Sequence, residues 1–297
     1  MDKLKSFVGA LRPGTLPLSL SGVFLGISLA AADYHISLPA AVLTALTAVC
    51  LQILANVADG LGDMLDAASA ERLAVPEKSS GVRGMKRATA ILTVLCAVSG
   101  LAMIKCSFGT LLSLDAVCLM MLGAVCIGVA LKYNLGRSPY GRRGLGDLYA
   151  FVFFGLVAVE GGYFVSSHTF GSLIMLLPAS AMGFFSAGVL NARNIGRIDA
   201  DGDACVTVAG RLGRRGALIY QTVLLALGWI CMNAYCSLRF FDSWHYLFVI
   251  SMPLFVLHFV SLRKNNEKGR GKSVSLLVAA VFLFSAAAGT GFLAFLF

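Results

Sequence analysis

Nine separate stretches of this chain are apolar over the length that a helix needs to cross a lipid bilayer, about 20 residues each. They fall at roughly 14–32, 39–61, 88–104, 110–131, 147–166, 172–190, 216–236, 245–262 and 274–297. In hydrocarbon every backbone polar group needs a partner within the protein, so spanning segments are helices or closed barrels. Runs near 20 residues, rather than near 10, select helices. Composition agrees: 58% of residues are hydrophobic and 13% charged, against about 45–50% and about 25% in soluble domains. The fold class read from these runs is all-α, a polytopic membrane protein with nine transmembrane helices. The segments between the runs are too short for a second domain, so 1–297 reads as one integral-membrane domain. The first run follows only a short basic segment and reads as a helix that stays, not as a cleaved signal.

Basic residues orient the bundle. Of the 24 Lys and Arg residues, 22 lie before the first run or after the second, fourth, sixth and eighth. The other side has only Lys105 and Arg239. By the positive-inside rule this places the N-terminus in the cytoplasm and the C-terminus outside, in the cell membrane. It also accounts for the net charge of +9, which then reads as attraction to anionic lipid rather than to nucleic acid. The eight cysteines lie mostly within apolar runs and form no C-x-x-C pair, so metal ligation by them has little support. His258 falls inside the eighth run and reads as a hydrogen-bonded packing residue.

Carboxylates at the ends of greasy helices are costly and are functional candidates by default. The second run ends in "LQILANVADGLGDMLD", residues 51–66. At about 100° per residue, Asn56, Asp59, Asp63 and Asp66 fall within an arc of roughly 80°. A second polar cluster, "LNARNIGRIDADGD" at 190–203, leaves the sixth run on the same side. If that helix continues, Asn191, Asn194 and Asp201 share a face. Two carboxylate stripes rimmed by Arg and Lys suit Mg²⁺ and a phosphate ester. Magnesium binds through one or two carboxylates plus substrate phosphates, and arginine takes phosphate oxygens in bidentate fashion. Because both stripes adjoin apolar helices, a lipid diphosphate fits them. Two unrelated charged loops would give the same pattern.

Five segments in order resemble the UbiA-type membrane prenyltransferases, and among them the 1,4-dihydroxy-2-naphthoate polyprenyltransferases of menaquinone synthesis. They are "LRPGTLPLSLSGVFLG" (11–26), "LQILANVADGLGD" (51–63), "SSGVRGMKRA" (79–88), "YNLGRSPYGRRGLGDLYAFVFFGLVAVEGGYF" (133–164), and "LNARNIGRIDAD" (190–201) with "TVAGRLGRRGA" (207–217). The resemblance implies nine helices around a central cavity. It also implies Mg²⁺ as cofactor, and a polyprenyl diphosphate and an aromatic acceptor as partners in the bilayer. The allylic cation formed from the diphosphate would be captured by the acceptor ring.

Carried onto this chain, the resemblance makes Asp63, Asp201, Asn56 and Asn194 the catalytic candidates. Asp59, Asp63 and Asp201 become the metal ligands, and Asp59, Asp66, Asn191, Arg193, Arg197, Lys132 and Tyr133 the substrate-binding set. The chain departs from the family pattern at two carboxylate positions. The first aspartate of the first motif is Gly60, with Asp59 beside it. The first aspartate of the second motif is Arg197. A lost metal ligand leaves open a member that binds isoprenoid or quinone without turnover. A secondary transporter is the remaining alternative, with only a weak internal echo between 56–66 and 191–201.

Overall fold

A computed structural model describes residues 11–70, 80–136, 139–198, 207–239, 242–264 and 267–294. All its regular structure is helical among these residues. Among the described residues, nine helices are long and apolar enough to cross a membrane: α1 (Pro13–Asp33), α2 (Leu38–Leu65), α3 (Gly81–Phe108), α4 (Leu114–Lys132), α5 (Gly146–Ser167), α6 (Leu173–Ile195), α7 (Val208–Arg239), α8 (Ser243–Arg263) and α9 (Gly271–Leu293). This is the count read from the sequence. The helices overrun the apolar stretches where charged residues continue them. The second runs on to Ala70, and the third starts with Arg83, Lys86 and Arg87 already in helix. Hydropathy marks only the hydrocarbon slab, whereas the backbone stays helical into the polar layer. The seventh is kinked at Gly213, where φ is 65° and ψ is 173°, a conformation in which a side chain is strained.

Large apolar side chains such as Leu95, Val98, Met121, Val125, Ile219 and Leu257 are exposed on the outer faces. In water that surface would drive association, whereas lipid tails solvate it. The buried residues form three clusters. The largest joins α1 and α5–α9 around Phe185, Trp229, Phe248, Phe255 and Phe284. Its rings meet at 4.8 Å for Phe185–Phe284 and 5.3 Å for Trp229–Phe284. Two smaller ones tie α2 to α3 through Val57, Leu61, Val82 and Met85, and α2 to α3 and α4 through Leu54, Cys96 and Ala130. Within the largest cluster, helices α1 and α5 approach closely. A Cβ at Gly26 would lie 2.1 Å from the Val159 carbonyl, and one at Gly22 would lie 2.5 Å from that of Phe154. Small residues four apart permit this contact in a membrane, where close packing replaces the hydrophobic drive.

Side-chain contacts fix which helix ends lie together. The start of α1 meets the ends of α2 and α6 through Arg12, Asp59 and Arg193. At the opposite end Arg239 of α7 pairs with Asp33 of α1, and Ser107 of α3 donates to the Val165 carbonyl of α5 at 2.6 Å. The first end carries the basic connections and is called the basic end below.

Candidate active site

At the basic end, the last turns of α2 present the expected polar stripe. Asn56 and Asp59 are buried, at 6% and 7% exposure, and Asp63 is exposed. The chain entering α1 folds against this stripe. Arg12 takes a left-handed conformation, with φ 45° and ψ 61°. Its carbonyl accepts from the Thr15 amide at 3.0 Å and the Thr15 hydroxyl at 2.9 Å. Asn56 Nδ2 donates to the Leu11 carbonyl at 2.9 Å and to Thr15 Oγ1 at 3.1 Å, and Gln52 donates to the same hydroxyl at 3.3 Å. The turn held in this way directs the Arg12 guanidinium onto Asp59 Oδ2. Arg193 of α6 reaches the same oxygen at 3.4 Å. The buried Asp59 carboxylate is therefore flanked by two cations, which lowers the cost of its burial.

The segment after α4 adds a further clamp. Asn134 Nδ2 donates to the Asp59 carbonyl at 3.0 Å and to Asp63 Oδ1 at 2.8 Å. Gly62 makes this possible, because a Cβ there would stand 2.3 Å from the Asn134 carbonyl oxygen. Tyr133 lies beside the pair. Burial pushes its hydroxyl up to about 12, and the Asp59 charge acts in the same direction. It is thus a neutral hydrogen-bond donor at physiological pH. Tyr140 donates to the Val129 carbonyl at 2.9 Å and stacks on Tyr149 at 3.9 Å. Burial likewise raises the Tyr140 hydroxyl.

Two cavities meet at this point. The smaller, of about 180 Å³, is polar, with Asp59, Asp63, Asn134, Asp147, Asn194 and Arg197 in its wall. The larger, of about 310 Å³, is walled mainly by apolar side chains of α1, α2, α4 and α5 and ends in Arg12, Asp59 and Arg193. Asp59, Tyr133, Gly146 and Leu190 border both. Along α2 the larger cavity runs from Asp59 to Thr44, about 22 Å at 1.5 Å per residue. Residues Phe151–Val157 of α5 form a π-helical segment. Such segments are rare and frequent at functional sites, and here Phe153, Phe154 and Val157 lie on the cavity wall.

The structure brings together Asp59, Asp63, Asn194, Arg197 and Tyr133 on the smaller cavity, and Asn56 and Arg193 on the larger. Three of the expected residues have other surroundings or contacts. Asn191 is wholly buried and turned toward α7, donating to Gln221 Oε1 at 2.8 Å and to the Ala217 carbonyl at 3.1 Å. It lines neither cavity, whereas Asn194, about 60° round the helix, lines the smaller one. The Asn56 amide holds the Arg12 turn and so positions a neighbour rather than standing ready for chemistry. Lys132 is exposed and lines neither cavity. The sixth helix ends at Ile195, and the Arg197 amide closes a turn onto the Asn194 carbonyl at 2.9 Å. The helical extrapolation to Asp201 therefore does not apply, and Asp201 lies outside the described residues, as does the side chain of Asp66. Sequence reasoning missed Arg12, Asn134 and Asp147. Arg12 stands before Pro13-Gly14 at a helix start, and in the sequence alone its charge counts only toward orientation.

Asp59 and Asp63 present carboxylate oxygens to one cavity, but no three metal-ligating side chains converge among the described residues. That donor set fits an ion that arrives with a phosphate ester and completes its shell with phosphate and water. It does not form a closed cage.

Residues 19–286 match the UbiA prenyltransferase family. The chain is 33% identical over 267 residues to the 1,4-dihydroxy-2-naphthoate octaprenyltransferase of Escherichia coli K12, covering 86% of this chain and 84% of that one. The enzyme of the same name from Haemophilus influenzae is 33% identical over 265 residues, covering 86% and 85%. A protein so named from Mycobacterium tuberculosis is 34% identical over 230 residues, covering 77% of each. Among solved structures, a UbiA homologue from Aeropyrum pernix K1 superposes with a TM-score of 0.65 at 21% identity, covering 92% of this chain and 96% of that one.

Proposed function

The chain belongs to the UbiA prenyltransferase family, and on that premise we propose that it moves a polyprenyl group from its diphosphate to 1,4-dihydroxy-2-naphthoate in menaquinone synthesis. Family membership sets the transporter reading aside. The observation that carries the proposal is the meeting of a cationic, carboxylate-lined cavity with a long apolar one at Asp59 and Tyr133. One end suits a diphosphate and the other an isoprenoid tail.

In this reading Arg12, Arg193 and Arg197 take the diphosphate oxygens. Charge-assisted bonds of this kind strengthen as charge develops on the leaving group. The neutral Tyr133 hydroxyl adds a donor at the junction. Asp59 and Asp63 would hold Mg²⁺, which neutralises leaving-group charge when bound. The allylic C–O bond breaks and its electron pair departs with diphosphate. A ring carbon of the acceptor forms the new C–C bond, and loss of the carboxyl as CO₂ returns an electron pair to the ring. The apolar cavity keeps water from the cation. The basic end faces the cytoplasm, where both substrates would enter.

The test is purified protein in detergent with a polyprenyl diphosphate and 1,4-dihydroxy-2-naphthoate, with Mg²⁺ or with chelator. Prenylated, decarboxylated product formed only with the metal is the expected result. Gly60 and Arg197 stand where the family pattern has carboxylates, which favours as second reading a member that binds without turnover. Tight donor binding with no product would select it.

A further inference from the structure

Among the described residues, Asp147 is the one buried acid of the basic end that the reading above leaves without a task. It follows Gly146 in the first turn of α5 and is 5% exposed. Its Oδ2 has no hydrogen-bond partner. The Tyr220 hydroxyl of α7 hydrogen-bonds its carboxyl group. Its situation differs from that of Asp59, which is also buried but flanked by Arg12 and Arg193. Neither arginine pairs with Asp147 among the described residues. A carboxylate oxygen removed from water without a partner is costly, and an ionisable residue within a membrane span is a functional-site candidate by default.

The surroundings define that ligand. Asp147 stands in the wall of the smaller cavity, beside the Tyr133 ring, the Leu190 side chain and the glycines 141, 144 and 146. Tyr133 and Leu190 pack onto Gly141 and Gly146, so a flat phenol ring and an aliphatic side chain form this part of the wall. Tyr133, Leu190 and Gly146 also border the larger cavity, so a ring seated on Asp147 lies next to the head of whatever fills the apolar channel. Tyr133, Asn194 and Arg197 line the same cavity, yet among the described residues no protein donor lies within hydrogen-bond distance of Asp147 Oδ2.

We propose that Asp147 anchors the aromatic acceptor by accepting a hydrogen bond from one of its ring hydroxyls. The proposal rests on the prenyl-transfer reading and adds to it where the acceptor sits and which group orients it. A carboxylate acceptor draws the hydroxyl proton away from the phenolic oxygen. That raises electron density on the ring, as attack on an allylic cation requires. The donor end of the reaction stays with the arginines around Asp59.

The test uses the full-length protein in detergent, with 1,4-dihydroxy-2-naphthoate and its two mono-O-methyl ethers as acceptors. Parent protein should bind one ether at least tenfold more weakly than the dihydroxy compound. In Asp147→Asn that tenfold discrimination should vanish and the acceptor KM should rise about tenfold. Affinity for an unreactive polyprenyl thiolodiphosphate and the Mg²⁺ dependence of its binding should stay at parent values, which also reports intact folding. Tyr220→Phe, which leaves the carboxylate in place, should keep the discrimination. If Asp147→Asn discriminates as the parent does, the proposal is wrong. Parallel loss of donor and acceptor binding in Asp147→Asn, or a changed Mg²⁺ dependence, would assign the residue to the donor site or to packing and overturn it too. A parent protein that binds no naphthoate at all would instead bring down the functional reading on which this one stands.

Discussion

Replacing Arg12 separates two effects that the structure combines in one residue. The backbone there is left-handed, at φ 45°, which for a residue with a Cβ costs about 1–2 kcal/mol. The guanidinium meanwhile pairs with Asp59 and stands 4.0 Å from Asp63. Arg12→Ala removes the charge and keeps the strain. Arg12→Gly removes both. Loss of a charge-assisted bond costs about 1.5–3 kcal/mol. The penalty stays below the 3–5 kcal/mol of an orphaned buried charge, because Arg193 remains 3.4 Å from Asp59. Relief of strain in the glycine variant is partly offset by about 0.5–1 kcal/mol of extra unfolded-chain entropy. Arg12→Gly should therefore be more stable than Arg12→Ala by about 0.5–1 kcal/mol, and both less stable than the parent. Both should bind an unreactive donor analogue equally badly, roughly ten- to hundredfold below parent, since 1.4 kcal/mol is a factor of ten. Denaturant unfolding in detergent and donor titration measure the two quantities. A glycine variant no more stable than the alanine variant would refute the strained turn. Parent-like donor affinity in both would refute the placement of Arg12 in the site.

Gly62→Ala should destabilise by about 1–3 kcal/mol, as overpacking does, and cut turnover, because the Asn134 carbonyl 2.3 Å away is backbone and cannot swing aside. Gly84→Ala, inside α3 where a Cβ meets nothing within 4 Å, should keep parental turnover and gain about 0.5–1 kcal/mol in the unfolding assay. Gly161 lines the larger cavity and a Cβ there also meets nothing within 4 Å, so Gly161→Leu should leave short donors usable and exclude long ones in a competition between prenyl diphosphates of different length. The neighbouring Gly162 also lines that cavity, but a Cβ there would lie 2.9 Å from the Val23 carbonyl oxygen, so Gly162→Leu should lower expression and stability whatever the donor. Reporter fusions after Lys264 and at the C-terminus should report opposite sides of the membrane; the same side for both would contradict the orientation taken from the basic residues.

Local patterning was enough for the architecture of this protein. Nine apolar runs and the side on which Lys and Arg accumulate depend on transfer between water and hydrocarbon, which acts residue by residue along the chain. The α2 stripe was legible for the same kind of reason, since a fixed turn per residue puts Asn56, Asp59 and Asp63 on one face whatever they touch. The second cluster was less legible because the periodicity stops when the helix does, at Ile195. What only the tertiary structure decided is which partner each polar group meets. Asn191 and Asn194 stand one turn apart, yet one joins Gln221 on α7 and the other faces the cavity, because the neighbouring helix claims the first. Arg12 looked like an orienting charge until the turn held by Gln52 and Asn56 set it on Asp59. Asn134 and Asp147 lie far from either acidic cluster in sequence and reach the cavity only because α4 and α5 end and begin beside α2. Such contacts depend on the packing of non-adjacent helices, and no periodicity within one segment encodes them.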